Sequence, residues 1–167
     1  MKKLRLLTVA IGSALIALGL SKAVAQTDHV PTPLEFINRA TISGIYEIQA
    51  ATIALDKAQG AGMRDFAAAM LKDHTEAQEE LNAVAGRLPV PTDLDAAHKA
   101  LVDELTAAAP EAFDEIFWRQ QSEAHKDAVS LFTKFATEGE NGAVKGFAAK
   151  TLPILQHHQE MVGKIKP

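Results

Sequence analysis

The chain has 167 residues, 47% of them hydrophobic, no cysteine and a formal net charge of -4. That length suits one domain with a modest core, and the missing cysteines exclude a fold that depends on disulfides. An acidic balance without a long basic patch argues against nucleic acid and anionic lipid as partners.

The amino terminus differs in kind from the rest. Lys2, Lys3 and Arg5 form a basic head, Leu6 to Leu20 is almost wholly apolar, and Lys22-Ala23-Val24-Ala25 offers small residues before Gln26. These are the three parts of a cleavable secretory signal over residues 1–25, leaving 26–167 as the mature domain. The apolar run is short for a bilayer span, so no stable transmembrane anchor is expected after cleavage. No cysteine follows it that a lipid could modify. Cleavage moves the formal charge from -4 to -8. The expected location is periplasmic or secreted.

Gln26 to Pro33 reads as a leader. Ile37, Thr41, Gly44, Ile48, Ala51 and Leu55 then repeat at three- and four-residue spacing, which predicts a helix over about 34–59. Gly60-Ala61-Gly62 marks a turn, and a second helix over about 63–87 carries Phe66, Met70, Ala77, Leu81, Val84 and Leu88 along its stripe. After Pro89-Val90-Pro91, Thr92 or Asp93 is placed to cap a short helix that ends near Ala108. Pro110 suits a helix start. A long helix follows to about Thr137, with Phe113, Phe117, Ala124, Ala128, Leu131 and Phe135 on one side. Gly139-Glu140-Asn141-Gly142 is a turn. The last helix, over about 143–164, uses Val144, Ala148, Thr151, Leu155 and Val162, with Pro153 positioned to bend it. Four long helices and one short one predict an all-α, ferritin-like four-helix bundle: two hairpins joined by a crossover that contains the short helix. An up-and-down bundle with an extra helix is the alternative.

Polar residues near the apolar stripes are the candidates for chemistry. At about 100° per residue, Glu47 flanks the first stripe, Asp73 and His74 border the second from opposite sides, and His158 falls on the last while His157 points away. His125 is more marginal, with Gln121 and Asp127 nearer the apolar face. Glu47, Asp73, His74, His125 and His158 form a candidate metal set, because carboxylate and imidazole together bind iron, manganese, zinc or copper. The di-iron pattern of paired Glu-x-x-His is absent: Leu71, Ser122 and Leu155 stand three residues before His74, His125 and His158. Met70 with His74, and Met161 with His157 and His158, add a thioether option suited to copper. A bland role competes with all of these, in which the histidines staple helices by hydrogen bonds to Glu47 or Asp73. Trp118 and Tyr46 fall off their stripes and are expected to pack within the chain.

Glu47, the run Met70-Leu71-Lys72-Asp73-His74, Phe113-Asp114 with Gln121 and His125, and Leu152-Pro153-Ile154-Leu155-Gln156-His157-His158 together resemble the DUF4142 family of exported bacterial proteins. The resemblance covers about 36–165. It implies a ferritin-like fold, an extracytoplasmic location and His158 as the terminal family histidine, but no reaction. The leading functional expectation is therefore a non-catalytic envelope protein, structural or stress-related, that binds an envelope partner or a small ligand. The alternative is a metal-binding, ferritin-like protein with scope for redox activity. No glycine-rich phosphate loop, His-Glu-x-x-His motif or nucleophile elbow points to an enzyme.

Overall fold

The computed structural model describes residues 29–140 and 142–165. The expected signal segment lies outside them. Regular structure among the described residues is helical: α1 (Pro33–Lys57), α2 (Ala61–Ala85), α3 (Ala96–Ala107), α4 (Pro110–Glu138) and α5 (Gly142–Lys164). None of these helices is long and apolar enough to cross a membrane.

The helix starts follow from their capping chemistry. At α1, Thr32 Oγ1 accepts from Glu35 N while Glu35 Oε2 accepts from Thr32 N at 2.7 Å, and Pro33 occupies the first turn. The α3 cap is Asp95, which accepts from His98 N at 2.9 Å, rather than Thr92 or Asp93. Asp95 wins because its carboxylate stands three residues before that free N–H, the reach a side-chain cap requires. The cap residue of α2, Gly60, has no side chain to offer, and α4 instead holds the turn that leads into it. Asp114 accepts from Gln59 N at 3.0 Å and from Gly60 N at 2.8 Å. At the other end of α2, Gly86 takes φ 61° and closes the helix on Asn82 O, a backbone state that favours glycine. Pro153 sits inside α5 without ending it.

Side-chain pairs set the directions. Phe36, at the start of α1, stacks on Phe135, near the end of α4, with centroids 4.2 Å apart. Lys57, at the end of α1, lies over the ring of Phe113, near the start of α4. The pairs Asp73–His158 and Glu80–Lys150 run in opposite senses along α2 and α5. Short turns make α1–α2 and α4–α5 antiparallel hairpins, so each neighbouring pair in the bundle is antiparallel. Both α2 and α4 then run the same way, and the chain between them must return the length of the bundle. Helix α3 lies in that return, against α1 and α4. Four core helices with one long crossover are consistent with a ferritin-like bundle.

Two of the expected stripes hold in part. Helix α1 buries Ile37, Thr41 and Ala51 as their spacing predicts, together with Phe36, Ala40, Tyr46, Glu47, Ala50 and Ala54, whereas Leu55 is exposed and Gly44 and Ile48 are half-buried. Because α1 is covered by α2, α3 and α4, small alanines meet the neighbouring backbones and Tyr46 turns inward beneath the crossover. Its hydroxyl donates to Gln120 Oε1 at 2.9 Å, and its ring meets His98 of α3. Trp118 also packs within the chain, donating to Val162 O at 3.0 Å.

The apolar core comes in two parts. One gathers Ala54, Met63, Phe66, Met70, Leu105, Phe113 and Phe117 at the end where α2 and α4 start. The other gathers Phe36, Ile37, Leu81, Phe132, Phe135, Phe147 and Leu155 at the opposite end. Between them lies a buried polar layer that includes Glu47, His74, Gln121, His125 and His158.

Candidate metal centre

Four helices contribute to the polar layer, each by one or two positions of its inward face. His74 of α2, His125 of α4 and His158 of α5 bring their rings together, with centroid separations of 5.8, 5.5 and 5.5 Å. All three are buried, His158 at 0% exposure. One nitrogen from each lies within 4.8 Å of the others. A point within about 2.8 Å of all three therefore exists, against roughly 2.0–2.1 Å for a metal–imidazole bond, so side-chain adjustments under about 1 Å would close the shell.

The hydrogen bonds around the rings decide which nitrogens face inward as acceptors. His125 Nδ1 lies 3.0 Å from Gln121 O, and a carbonyl can only accept, so Nδ1 carries the hydrogen. His158 Nε2 lies 3.0 Å from Asp73 Oδ2 and donates to it. The remaining atoms, His125 Nε2 and His158 Nδ1, have no hydrogen-bond partner, and neither has His74 Nε2. The bonds at His125 Nδ1 and His158 Nε2 thus leave two buried lone pairs, and His74 Nε2 becomes a third when its hydrogen sits on Nδ1, the state that a metal ion would select. An outer carboxylate and an outer carbonyl that orient the rings are the usual support of a histidine metal site.

The protonation states agree with this geometry. Burial depresses His74 well below the ordinary histidine range, helped by its two imidazole neighbours. Burial also brings His125 down to about 4, opposed by the Gln121 carbonyl. His158 is lowered by burial as well, although the bond to Asp73 opposes the shift. All three are neutral near pH 7, the state in which imidazole is a ligand.

The five expected residues therefore divide. The three histidines converge, Asp73 stands behind His158 with its side chain a quarter exposed, and Glu47 of α1 is buried outside the cluster of ligand atoms. Burial pushes the Glu47 carboxyl up to about 8, opposed by the Gln121 side chain, and its Oε2 has no hydrogen-bond partner. His125 is buried rather than marginal, and Asp127 is exposed rather than inward. Of the expected α4 stripe, Phe113, Phe117, Leu131 and Phe135 are buried and Ala124 and Ala128 half-buried, while Gln120, Gln121 and His125 fill the inward face at this level. Sequence phase placed Gln121 near the apolar face of α4, and its side-chain amide is buried beside the Glu47 carboxyl. Met70 is fully buried in the apolar core and Met161 packs against it.

A family model described as "Domain of unknown function (DUF4142)" matches residues 19–165, and the chain belongs to that family. No curated protein matches it. Among solved structures it is similar to a DUF305 fragment from Deinococcus radiodurans, at 17% identity and TM-score 0.69, covering 80% of this chain and 93% of that one. It is similar also to CopM in the Cu(II)-bound form, at 21% identity and TM-score 0.69, covering 81% of this chain and 96% of that one. At these identities the likeness concerns the fold.

Proposed function

We propose that this protein binds one transition-metal ion through His74, His125 and His158, outside the cytoplasm. The observation that carries the proposal is the convergence of three buried histidines from three helices, one nitrogen of each within 4.8 Å of the others and one ring nitrogen of each without a hydrogen-bond partner. Neutral imidazoles of this kind suit Cu(II), Zn(II) and Fe(II), and the Cu(II)-bound state of one fold relative makes copper the first ion to try. Asp73 supports the site from outside by holding His158 with Nδ1 turned inward. Glu47 supplies a buried acid whose ionisation would offset part of the charge a dication brings into the core. The signal-like head over residues 1–25 supports a periplasmic or secreted location.

Metal analysis of tag-free protein, reconstituted separately with copper, zinc, iron and manganese, tests the proposal. About one equivalent of at least one metal is expected. The His125→Ala variant should lose it, and Asp73→Asn should weaken it by about 10–100-fold, as outer partners of metal-bound histidines do. Less than about a tenth of an equivalent with every metal would overturn the proposal.

A structural role is the second reading, favoured by the Asp73–His158 bond that joins α2 to α5. It leaves the three inward nitrogens without an explanation.

A further inference from the structure

A narrow cleft of about 30 Å³ opens between α1, α2, α4 and α5, with Asp73 and Ile154 in its wall and Ile154 exposed to solvent. That volume admits a water-sized molecule. His74 and His158 also line it, whereas His125 and Glu47 do not. The cleft therefore reaches the cluster at His74 and His158. The three histidines provide three donors, and no carboxylate lies within their group of ligand atoms. Three-ligand metal sites in which the fourth position stays free are the ones that exchange small ligands.

We infer that an ion held by the three histidines keeps an open coordination position facing this cleft, and that small anions of one to three atoms bind there. The inference rests on the metal site proposed above. In the exchange, a bound water leaves as the anion donates a lone pair to the metal, and no electrons change owner. Gly44 keeps the passage open: a Cβ at this position would run into the side-chain amide oxygen of Gln78, which lines the cleft from α2. That amide is the movable end of a flexible side chain, so a larger residue at position 44 would drive it into the opening. Glycine within a helix has no propensity advantage to lose.

Cu(II) and sodium azide are the probes. Copper content is measured first, and azide is then titrated against the near-ultraviolet absorption of the copper-loaded protein. A saturable new band is expected in the parent, with its dissociation constant raised at least tenfold in Gly44→Leu at unchanged copper content. Gly44→Ala, the milder change, should shift it in the same direction if the leucine variant does not fold. Copper binding without an azide response overturns the open position but leaves the metal site standing. An azide response found only in Glu47→Gln would likewise overturn it, by showing that Glu47 fills the fourth place. Equal azide affinity in the parent and both Gly44 variants overturns the cleft as the route. Absence of bound copper, together with failure of the other metals, overturns the metal site itself and this inference with it.

Discussion

Single residues in the polar layer hold opposite consequences for stability, and pH separates them. In the metal-free protein His125 is held down at about 4, and His74 and His158 are also lowered, whereas unfolded histidine titrates near 6.5. Between about pH 4 and 6.5 the unfolded chain binds protons that the folded chain refuses, so folding is favoured as pH rises through that window. Glu47 acts the other way. Its carboxyl stays protonated in the fold up to about 8 but ionises near 4.5 when exposed, so stability falls as pH rises between those values. Below 6.5 three histidines outweigh one carboxyl; above it only Glu47 remains. The chelated protein should therefore be most stable near pH 6.5 and lose roughly 2 kcal/mol by pH 8. Urea unfolding across pH 5 to 8.5 measures this, and Glu47→Gln should keep the acid limb while abolishing the loss above 6.5. A Glu47→Gln profile that matches the parent at high pH would remove Glu47 from this role. Helical phase had already marked Glu47, His74 and His158 as border residues. What phase could not hold was the pairing of Asp73 with His158, 85 positions apart, because a one-dimensional period carries no partner.

Between elements, the ends of helices are tied by side chains from other helices. Asp114 takes both free N–H groups ahead of α2, and Lys57 Nζ donates to the carbonyls of Leu105, Thr106 and Ala108 at the end of α3. The Phe113-Asp114 pair thus has two jobs on one turn of α4: Phe113 enters the core and Asp114 holds the turn between α1 and α2. Losing a hydrogen bond of this kind costs about 0.5–1.5 kcal/mol. Asp114→Ala should therefore lower stability by about that amount in urea unfolding while leaving metal content unchanged. A fall in metal content without a fall in stability would contradict a purely turn-holding role. Helix number, order and approximate bounds were legible from proline, glycine and apolar spacing, since local chemistry sets them. The inward face of α1 was legible in part, for Ile37, Thr41 and Ala51 are buried as their spacing predicts. A helix covered on several sides also buries Tyr46 and alanines where neighbours come close, and leaves Leu55 outside. On α4 likewise Phe113, Phe117, Leu131 and Phe135 are buried as expected, while His125 sits inside and Ala124 is only half-buried.

For the molecule as a whole, a polar layer divides the core, and two views of that layer lead to opposite outcomes. If the histidines are staples, replacing them removes hydrogen bonds and weakens the bundle. If they are ligands, the metal-free protein bears the cost of buried unpartnered nitrogens, about 1–3 kcal/mol each where no partner is gained. Leucine is close to histidine in volume, so His74→Leu, His125→Leu and His158→Leu combined would join the two apolar clusters across the layer. Of the groups left behind, Asp73 is a quarter exposed and can turn to water. The triple variant should then be at least as stable as the chelated parent. Its response to metal should differ completely. An ion at a hundred times its dissociation constant stabilises the parent by about 2.7 kcal/mol, which for a domain of this size raises Tm by on the order of 10 °C. The triple variant should show no such shift. Thermal unfolding of both proteins, with chelator and with copper or zinc, measures both quantities together. A triple variant that melts well below the chelated parent, with no metal-dependent shift in either protein, would favour the staple. Equal or greater stability, with the shift confined to the parent, assigns the layer to ligand binding, because only a ligand compensates for leaving those nitrogens unpaired.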